Sequence, residues 1–238
     1  MAIDDAPRVG GKISGDRLTI REWRRYPDIS GDRVQYARLS EALAAMTASG
    51  PDAEDVYAKT LKQVSDDEGF VTLLLKTHDA VEESSFQDRW ALLQLAIDLR
   101  HPAAGKYLAK FVRRPIPEER VEDTAHGVST VTEEVILRTT AIEGLARLFH
   151  HDFDSSKALL EVIGSSDYVA MRRAAWFALI DGGQDKALTR ARKLLEKDGF
   201  GWMADIRRIP VEQAEQHNPD LIYPDRKRRG EIPHPFKE

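Results

Sequence analysis

One helical pattern occurs twice in the second half of the chain, at positions 34 residues apart. The first copy begins at position 137 and reads LRTTAIEGL, and the second begins at position 171 and reads MRRAAWFAL. In both copies an apolar residue precedes Arg, Ala follows that Arg by three residues, and Leu follows the Ala by four. Because residues three and four apart share one face of an α-helix, the same helix surface is encoded twice.

A second apolar helix is predicted after each copy. The two segments cover 155–163 and 184–195, and short turns at 151–154 and 181–183 join them to the preceding helices. A two-helix unit of this size cannot bury its apolar surface alone, so neighbouring units must stack. The repeat therefore predicts an all-α fold, an α-solenoid built from stacked helical hairpins.

The repeated unit resembles the HEAT-like repeats of bacterial proteins, including those of the phycobilisome-lyase type. The first helix of such repeats often starts with Asp, followed by an apolar-Arg pair and then alanines. The matching residues are Asp167, Met171-Arg172 and Ala174-Ala175, with one extra residue between Asp167 and Met171. A tetratricopeptide array has a similar repeat length, but its characteristic Trp, Gly, Tyr and Pro positions are missing here.

The resemblance implies a structural role for the two repeated arginines. Arg138 and Arg172 are expected to bridge adjacent repeats through hydrogen bonds or through a carboxylate such as Asp167. The resemblance extends over about 86–197, and the part before the loop at 115–132 matches only in its helical periodicity.

Apolar spacing predicts five further helices in the first half of the chain. Asp52 is a favourable N-cap, and Pro102 suits the first turn of a helix because its missing N–H is not needed there. The predicted segments are 32–46, 52–64, 70–81, 86–99 and 102–112. The last two are expected to pair as a hairpin.

The two ends of the chain differ in composition from the helical part. Residues 1–32 are rich in glycine and predict an irregular arm. Residues 33–200 are assigned to the HEAT-like solenoid, with about five hairpins. Residues 201–238 are rich in proline and partly basic, which predicts an extended tail that covers the last repeat with apolar residues such as Trp202 and Ile206.

The charge balance disfavours a nucleic-acid partner. The formal net charge is −5 and the pI is about 5.9, whereas binding to phosphate backbones needs concentrated Lys and Arg. Local basic runs are nevertheless candidates for binding an acidic protein partner. These candidates are Arg113, Arg114, Arg226, Lys227, Arg228 and Arg229.

The absence of cysteine excludes disulfides, thiolate zinc sites and cysteine nucleophiles, and it fits an intracellular protein. No apolar run approaches the roughly 20 residues that a membrane helix needs. The opening sequence MAIDDAPRVGGKISGD lacks the apolar centre of a signal peptide. These features predict a cytoplasmic protein without a membrane partner.

Motifs for catalysis or cofactor binding are not recognisable in the sequence. It contains no glycine-rich phosphate loop, no nucleophile elbow and no pair of metal-binding histidines spaced along a helix. The segment His150-His151-Asp152, with Asp154, has metal-binding residue types, but adjacent side chains point in different directions. We therefore predict no catalytic residue, no metal and no cofactor.

The function predicted from these features is a non-enzymatic scaffold or adaptor that binds a protein on a solenoid surface. Two alternatives come from other HEAT-like proteins. A DNA glycosylase acting on alkylated bases would use residues such as Trp90, Trp176, Asp181 and Arg172-Arg173. A phycobilin-lyase-like protein would carry a chromophore, and nothing in the sequence marks a pocket for it.

Overall fold

The computed structural model describes residues 32–121, 129–149 and 153–206, and within these ranges it contains nine α-helices and no β-strand. The prediction of an all-α fold is confirmed for this part of the chain. The helices are α1 (Arg33–Met46), α2 (Ala53–Val64), α3 (Glu68–Ala80), α4 (Phe86–Asp98), α5 (Pro102–Phe111), α6 (Thr130–Leu148), α7 (Ser156–Ser165), α8 (Val169–Asp181) and α9 (Asp185–Lys197). The predicted N-terminal arm lies outside the described residues.

Side-chain caps fix where several helices begin. The Asp32 carboxylate accepts hydrogen bonds from the first backbone N–H groups of α1, at 2.9 Å from Val34 N. Asp67 accepts from Phe70 N at 3.0 Å, so α3 begins at Glu68, two residues before the predicted start. Pro102 occupies the first turn of α5, as predicted.

The helices pack in two rows. Helices α1, α4, α6 and α8 contact one another in succession and form the first row. Helices α3, α5, α7 and α9 do the same and form the second row, while α2 packs on α1. Helices consecutive in the chain alternate between the rows from α3 onward, and α6 and α8, which carry the duplicated motif, are neighbours in the first row.

The duplicated motif supplies the core between the rows. Leu137, Ala141 and Leu145 of α6 are fully buried, and the equivalent Ala175 and Leu179 of α8 are buried with them. A second cluster fills the first half of the fold. Its largest fully buried side chains are Leu39, Leu43, Phe70, Leu74, Leu92 and Leu95.

A glycine lets α6 approach α4 closely. A Cβ placed on Gly144 would lie 2.5 Å from Cγ1 of Ile97, which is shorter than normal packing allows. On α7, by contrast, a Cβ on Gly164 would lie 3.6 Å from Leu194, an ordinary contact. The α4–α6 contact therefore depends on the absence of a side chain at position 144.

The start of the predicted tail forms a 3-10 helix, Gly201–Asp205, and is not extended. It packs on α9 and α8 through the fully buried Met203. Trp202 and Ile206, which were expected to cover the last repeat, are exposed by 53% and 36%. Among the helices that the structure describes, none is both long and apolar enough to span a membrane.

Candidate functional site

An open groove of about 1200 Å³ runs along α7 on the second row of helices. One side is formed by α9, and the other by the segment that follows α5. Residues that line it include Arg113, Arg114, Ile116, Lys157, Leu160, Glu161, Tyr168, Met171, Lys186, Arg190 and Leu194.

Helical spacing explains why these residues face the groove. On α7, Lys157, Leu160 and Gly164 follow one another at three and four residues and share one face, while Leu159 and Ile163 lie on the adjoining face in the core. The single helix thus divides its residues between the core and the groove.

Helix α9 is divided in the same way. Lys186, Arg190 and Leu194 are four residues apart and face the groove, while Ala191 and Leu195 are fully buried. The spacing places the two cationic side chains one turn apart and the leucine one turn further along. Charge and apolar surface therefore follow each other along α9.

The two helices run in the same direction along the groove. At one end, Ser156 Oγ donates a hydrogen bond to Gln184 Oε1 at 3.4 Å, which joins the N-terminal ends of α7 and α9. At the other end, Gly164 lies beside Leu194. Both N-terminal ends, with the positive ends of their backbone dipoles, therefore meet at one end of the groove.

Cationic side chains surround this end of the groove. Lys157, Lys186 and Arg190 are exposed, and none of them forms an ion pair with another residue of the described ranges. Two carboxylates, Asp154 and Asp167, also line the groove. Hydrogen bonds from Ser156 lower the pKa of Asp154, so its charge is already engaged at the start of α7.

The two predicted partner-binding arginines line the groove, but both form internal ion pairs. Arg113 Nη1 lies 2.8 Å from Glu161 Oε2, and its Nε donates to Ala109 O at 2.7 Å. Arg114 Nη1 lies 2.6 Å from Asp79 Oδ1, and the second nitrogen contacts the other carboxylate oxygen at 3.3 Å. The other candidates, Arg226, Lys227, Arg228 and Arg229, lie outside the described residues.

Arg138 takes part in a buried ionic cluster that joins three helices. Its Nη2 lies 2.6 Å from Glu134 Oε1, and the same carboxylate accepts two hydrogen bonds from Arg89 of α4, at 2.7 and 3.3 Å. The Arg138 guanidinium also lies 3.8 Å from the centre of the Phe111 ring of α5. Burial lowers the pKa of Arg138 to about 10, while the Glu134 charge opposes this shift.

A second buried polar group lies beside this cluster. His78 Nδ1 is 2.6 Å from the Tyr107 hydroxyl, and that hydroxyl donates to Asp79 at 2.7 Å. Burial and the nearby Arg89 charge lower the pKa of His78 to about 3. The histidine is therefore neutral at physiological pH.

Arg172 pairs with a different carboxylate from the one expected. Its Nη1 lies 2.7 Å from Asp198 at the end of α9, and its Nε donates to Ser166 O at 2.5 Å. The guanidinium also lies over the Phe200 ring, at 4.7 Å from its centre. Asp167 is exposed, and Arg172 instead joins α8 to the turn before it, at Ser166, and to the C-terminal end of α9, at Asp198.

The residues considered for a glycosylase are spread over the fold. Trp176 is only 5% exposed and packs in the core, whereas Trp90 is 40% exposed on α4. Asp181 ends α8, and α6 lies between α4 and α8. The structure does not bring these side chains together in one groove.

Metal-binding side chains do not cluster in the described ranges, where no group of three or more His, Cys, Asp or Glu residues could hold an ion. The segment His150-His151-Asp152 lies outside those ranges. Its neighbour Asp154 lines the groove at the start of α7.

Sequence reasoning missed the groove cations Lys157, Lys186 and Arg190. A usable signal was present, since the tripeptide Lys-Ala-Leu occurs at both 157–159 and 186–188. In each helix the Ala is buried and the preceding Lys is exposed. The repeat thus places a lysine at the same point of two neighbouring helices.

Compared with known proteins, the chain matches no protein family, and no curated protein or solved structure gives a significant match.

Proposed function

We propose that this chain is a non-enzymatic protein-interaction module, an α-solenoid of HEAT-like hairpins that holds a protein partner in the groove along α7 and α9. The groove itself carries the proposal. Its volume of about 1200 Å³ exceeds the roughly 300–1,000 Å³ of typical small-molecule pockets, and it is open along its length. A segment of another protein fits such a surface better than a compact ligand does.

The packing of the helices supports the solenoid part of the proposal. Successive sequence units contribute one helix to each row, and the second helices α7 and α9 build the groove. In repeat proteins, such a continuous row of helices commonly forms the binding face. The duplicated Arg138 and Arg172, both buried in ion pairs, are consistent with HEAT-like units. The lack of cysteine favours a cytoplasmic location.

Affinity capture with a groove variant tests this function. The full chain is used as bait in nuclease-treated lysate of its native host, and bound proteins are quantified by mass spectrometry. Leu160→Arg places a charge on the half-buried apolar wall of the groove. Val34→Arg makes the same kind of change at an exposed apolar residue of α1 and serves as the control.

We expect Leu160→Arg to reduce recovery of a specific protein by about tenfold or more, a loss of ~1.4 kcal/mol in binding. Val34→Arg leaves recovery unchanged, and circular dichroism verifies that both variants keep their helical content. Equal recovery with all three baits would contradict the proposed groove function. In a parallel capture from lysate without nuclease, recovery of nucleic acid alone would contradict the protein-partner assignment.

A further inference from the structure

We infer that the occupant of the groove is an extended, acidic segment of the partner protein, with an apolar side chain placed shortly after or before its acidic residues. This inference rests on the proposed function and names the chemistry of the partner that the groove accepts. It is carried by the arrangement of charge and apolar surface along α7 and α9.

The acidic residues of the segment lie at the N-terminal ends of the two helices. Lys157, Lys186 and Arg190 are exposed there without ion-pair partners in the described chain. The N-cap residue of α9, Gln184, makes no side-chain cap, so backbone N–H groups of the first turn remain available as donors. Asp154 already caps the start of α7, so the carboxylates of the segment are matched by the three cations and by the N-terminal end of α9.

The apolar side chain of the segment lies further along the groove. Leu160, Tyr168 and Leu194 are half-buried there, and Met171 lies beneath them. Partly covered apolar side chains that surround a concave surface gain stability when an apolar group of a partner covers them.

The distance along α9 sets the spacing in the bound segment. Lys186 and Leu194 are separated by two helical turns, or about 12 Å at 1.5 Å per residue. An extended peptide covers that distance with about three to four residues, at ~3.3 Å each. The preferred segment thus has its acidic and apolar residues three or four positions apart.

The same observations favour a peptide over a nucleic acid. A nucleic acid needs cations that follow a phosphate backbone, yet the charges of Arg113 and Arg114 are matched by Glu161 and Asp79. The cationic surface is short and continues directly into an apolar surface. The whole chain is also acidic, with a formal net charge of −5.

Peptide binding by the full chain tests the inference. The probes are fluorescein-labelled peptides of Gly and Ser that carry one Glu-Glu pair and one Leu, with the spacing varied from one to six residues. Matched probes replace Glu by Gln or Leu by Ser. Fluorescence anisotropy is measured in low salt, with an oligo(dT) strand added as competitor.

We expect the Glu-Glu probes with spacings of three and four to bind most tightly, and their Gln counterparts to bind about tenfold or more weakly. Lys186→Glu combined with Arg190→Glu abolishes binding. Lys59→Glu combined with Lys62→Glu makes the same charge change on exposed positions of α2 and leaves binding unchanged. The inference is overturned if the Glu and Gln probes bind equally well or if neither binds. It is also overturned if oligo(dT) displaces the labelled peptide at a lower concentration than the unlabelled peptide does.

Capture from lysate separates this inference from the proposed function. If the Lys186→Glu, Arg190→Glu bait loses the same protein as the Leu160→Arg bait, both the groove and its acidic occupant are supported. If only Leu160→Arg loses it, the acidic occupant is overturned and the groove function stands. If neither variant loses it, both are overturned.

Discussion

Substitution of Glu134 by Gln is expected to destabilise the fold strongly. This carboxylate lies between two guanidinium groups, at 2.7 Å from Arg89 and 2.6 Å from Arg138, and all three residues are nearly excluded from solvent. Gln keeps the shape of the side chain but removes its charge. Two buried cations then lose the anion that compensates them, and one amide N–H must face a guanidinium.

The expected loss is about 3–5 kcal/mol, the cost of removing one partner from a buried ion pair. This is a large part of the ~5–15 kcal/mol by which a protein is usually stable. Glu161→Gln is the matched control, because it breaks the exposed pair with Arg113, whose side chain is 42% accessible. Exposed pairs contribute only about 0–1 kcal/mol, so this variant is expected to stay close to the wild type.

Urea unfolding followed by far-UV circular dichroism measures both variants, with the free energy taken from linear extrapolation. Tryptophan fluorescence should give the same transition, which verifies that the unfolding is cooperative. If the free energy of unfolding of Glu134→Gln lies within about 1 kcal/mol of the wild-type value, the Glu134 carboxylate does not compensate the two buried cations.

Three further results are expected. Gly144→Ala lowers the free energy of unfolding by about 1–3 kcal/mol because its Cβ overlaps Ile97. Gly164→Ala makes only ordinary contacts and raises the free energy of unfolding by ~0.5–1 kcal/mol, so the reverse order in urea titrations would contradict the packing of α4 on α6. Arg172→Leu lowers it by about 1–3 kcal/mol but leaves partner capture by the folded protein unchanged, so retained stability with lost capture would refute a structural role. From pH 7 to pH 5 the free energy of unfolding falls by about 2 kcal/mol. The reason is that His78 takes up a proton below its ordinary pKa of 6.5 in the unfolded chain, but only near pH 3 in the folded chain. If the free energy of unfolding of His78→Asn falls as much over this pH range, His78 is not the cause.

Local spacing in the sequence predicted the helices well. Helix positions depend on nearby apolar residues and caps, and Pro102 marked the start of α5 correctly. The duplicated face was also predicted, because its apolar residues recur at fixed intervals that do not depend on the rest of the fold. All three of Leu137, Ala141 and Leu145 are buried as that pattern indicated.

Contacts between distant residues were not predictable in the same way. Arg172 pairs with Asp198, 26 residues away, although Asp167 is much closer in the chain. The choice depends on how α9 returns beside α8, which spacing alone does not encode. The repeated Lys-Ala-Leu marks Lys157 and Lys186 in the sequence, but it does not show that they face one groove, because that depends on α7 and α9 packing side by side.

Photocrosslinking from inside the groove tests the central claim most directly. The photoreactive residue p-benzoylphenylalanine is introduced at position 160 in the groove, or at exposed position 34 on α1 as a control, and the native host cells are irradiated. We expect position 160 to give one dominant covalent adduct with another protein, and position 34 to give none of that adduct. No protein adduct at position 160, or the same adducts at both positions, would contradict a partner-binding groove along α7 and α9.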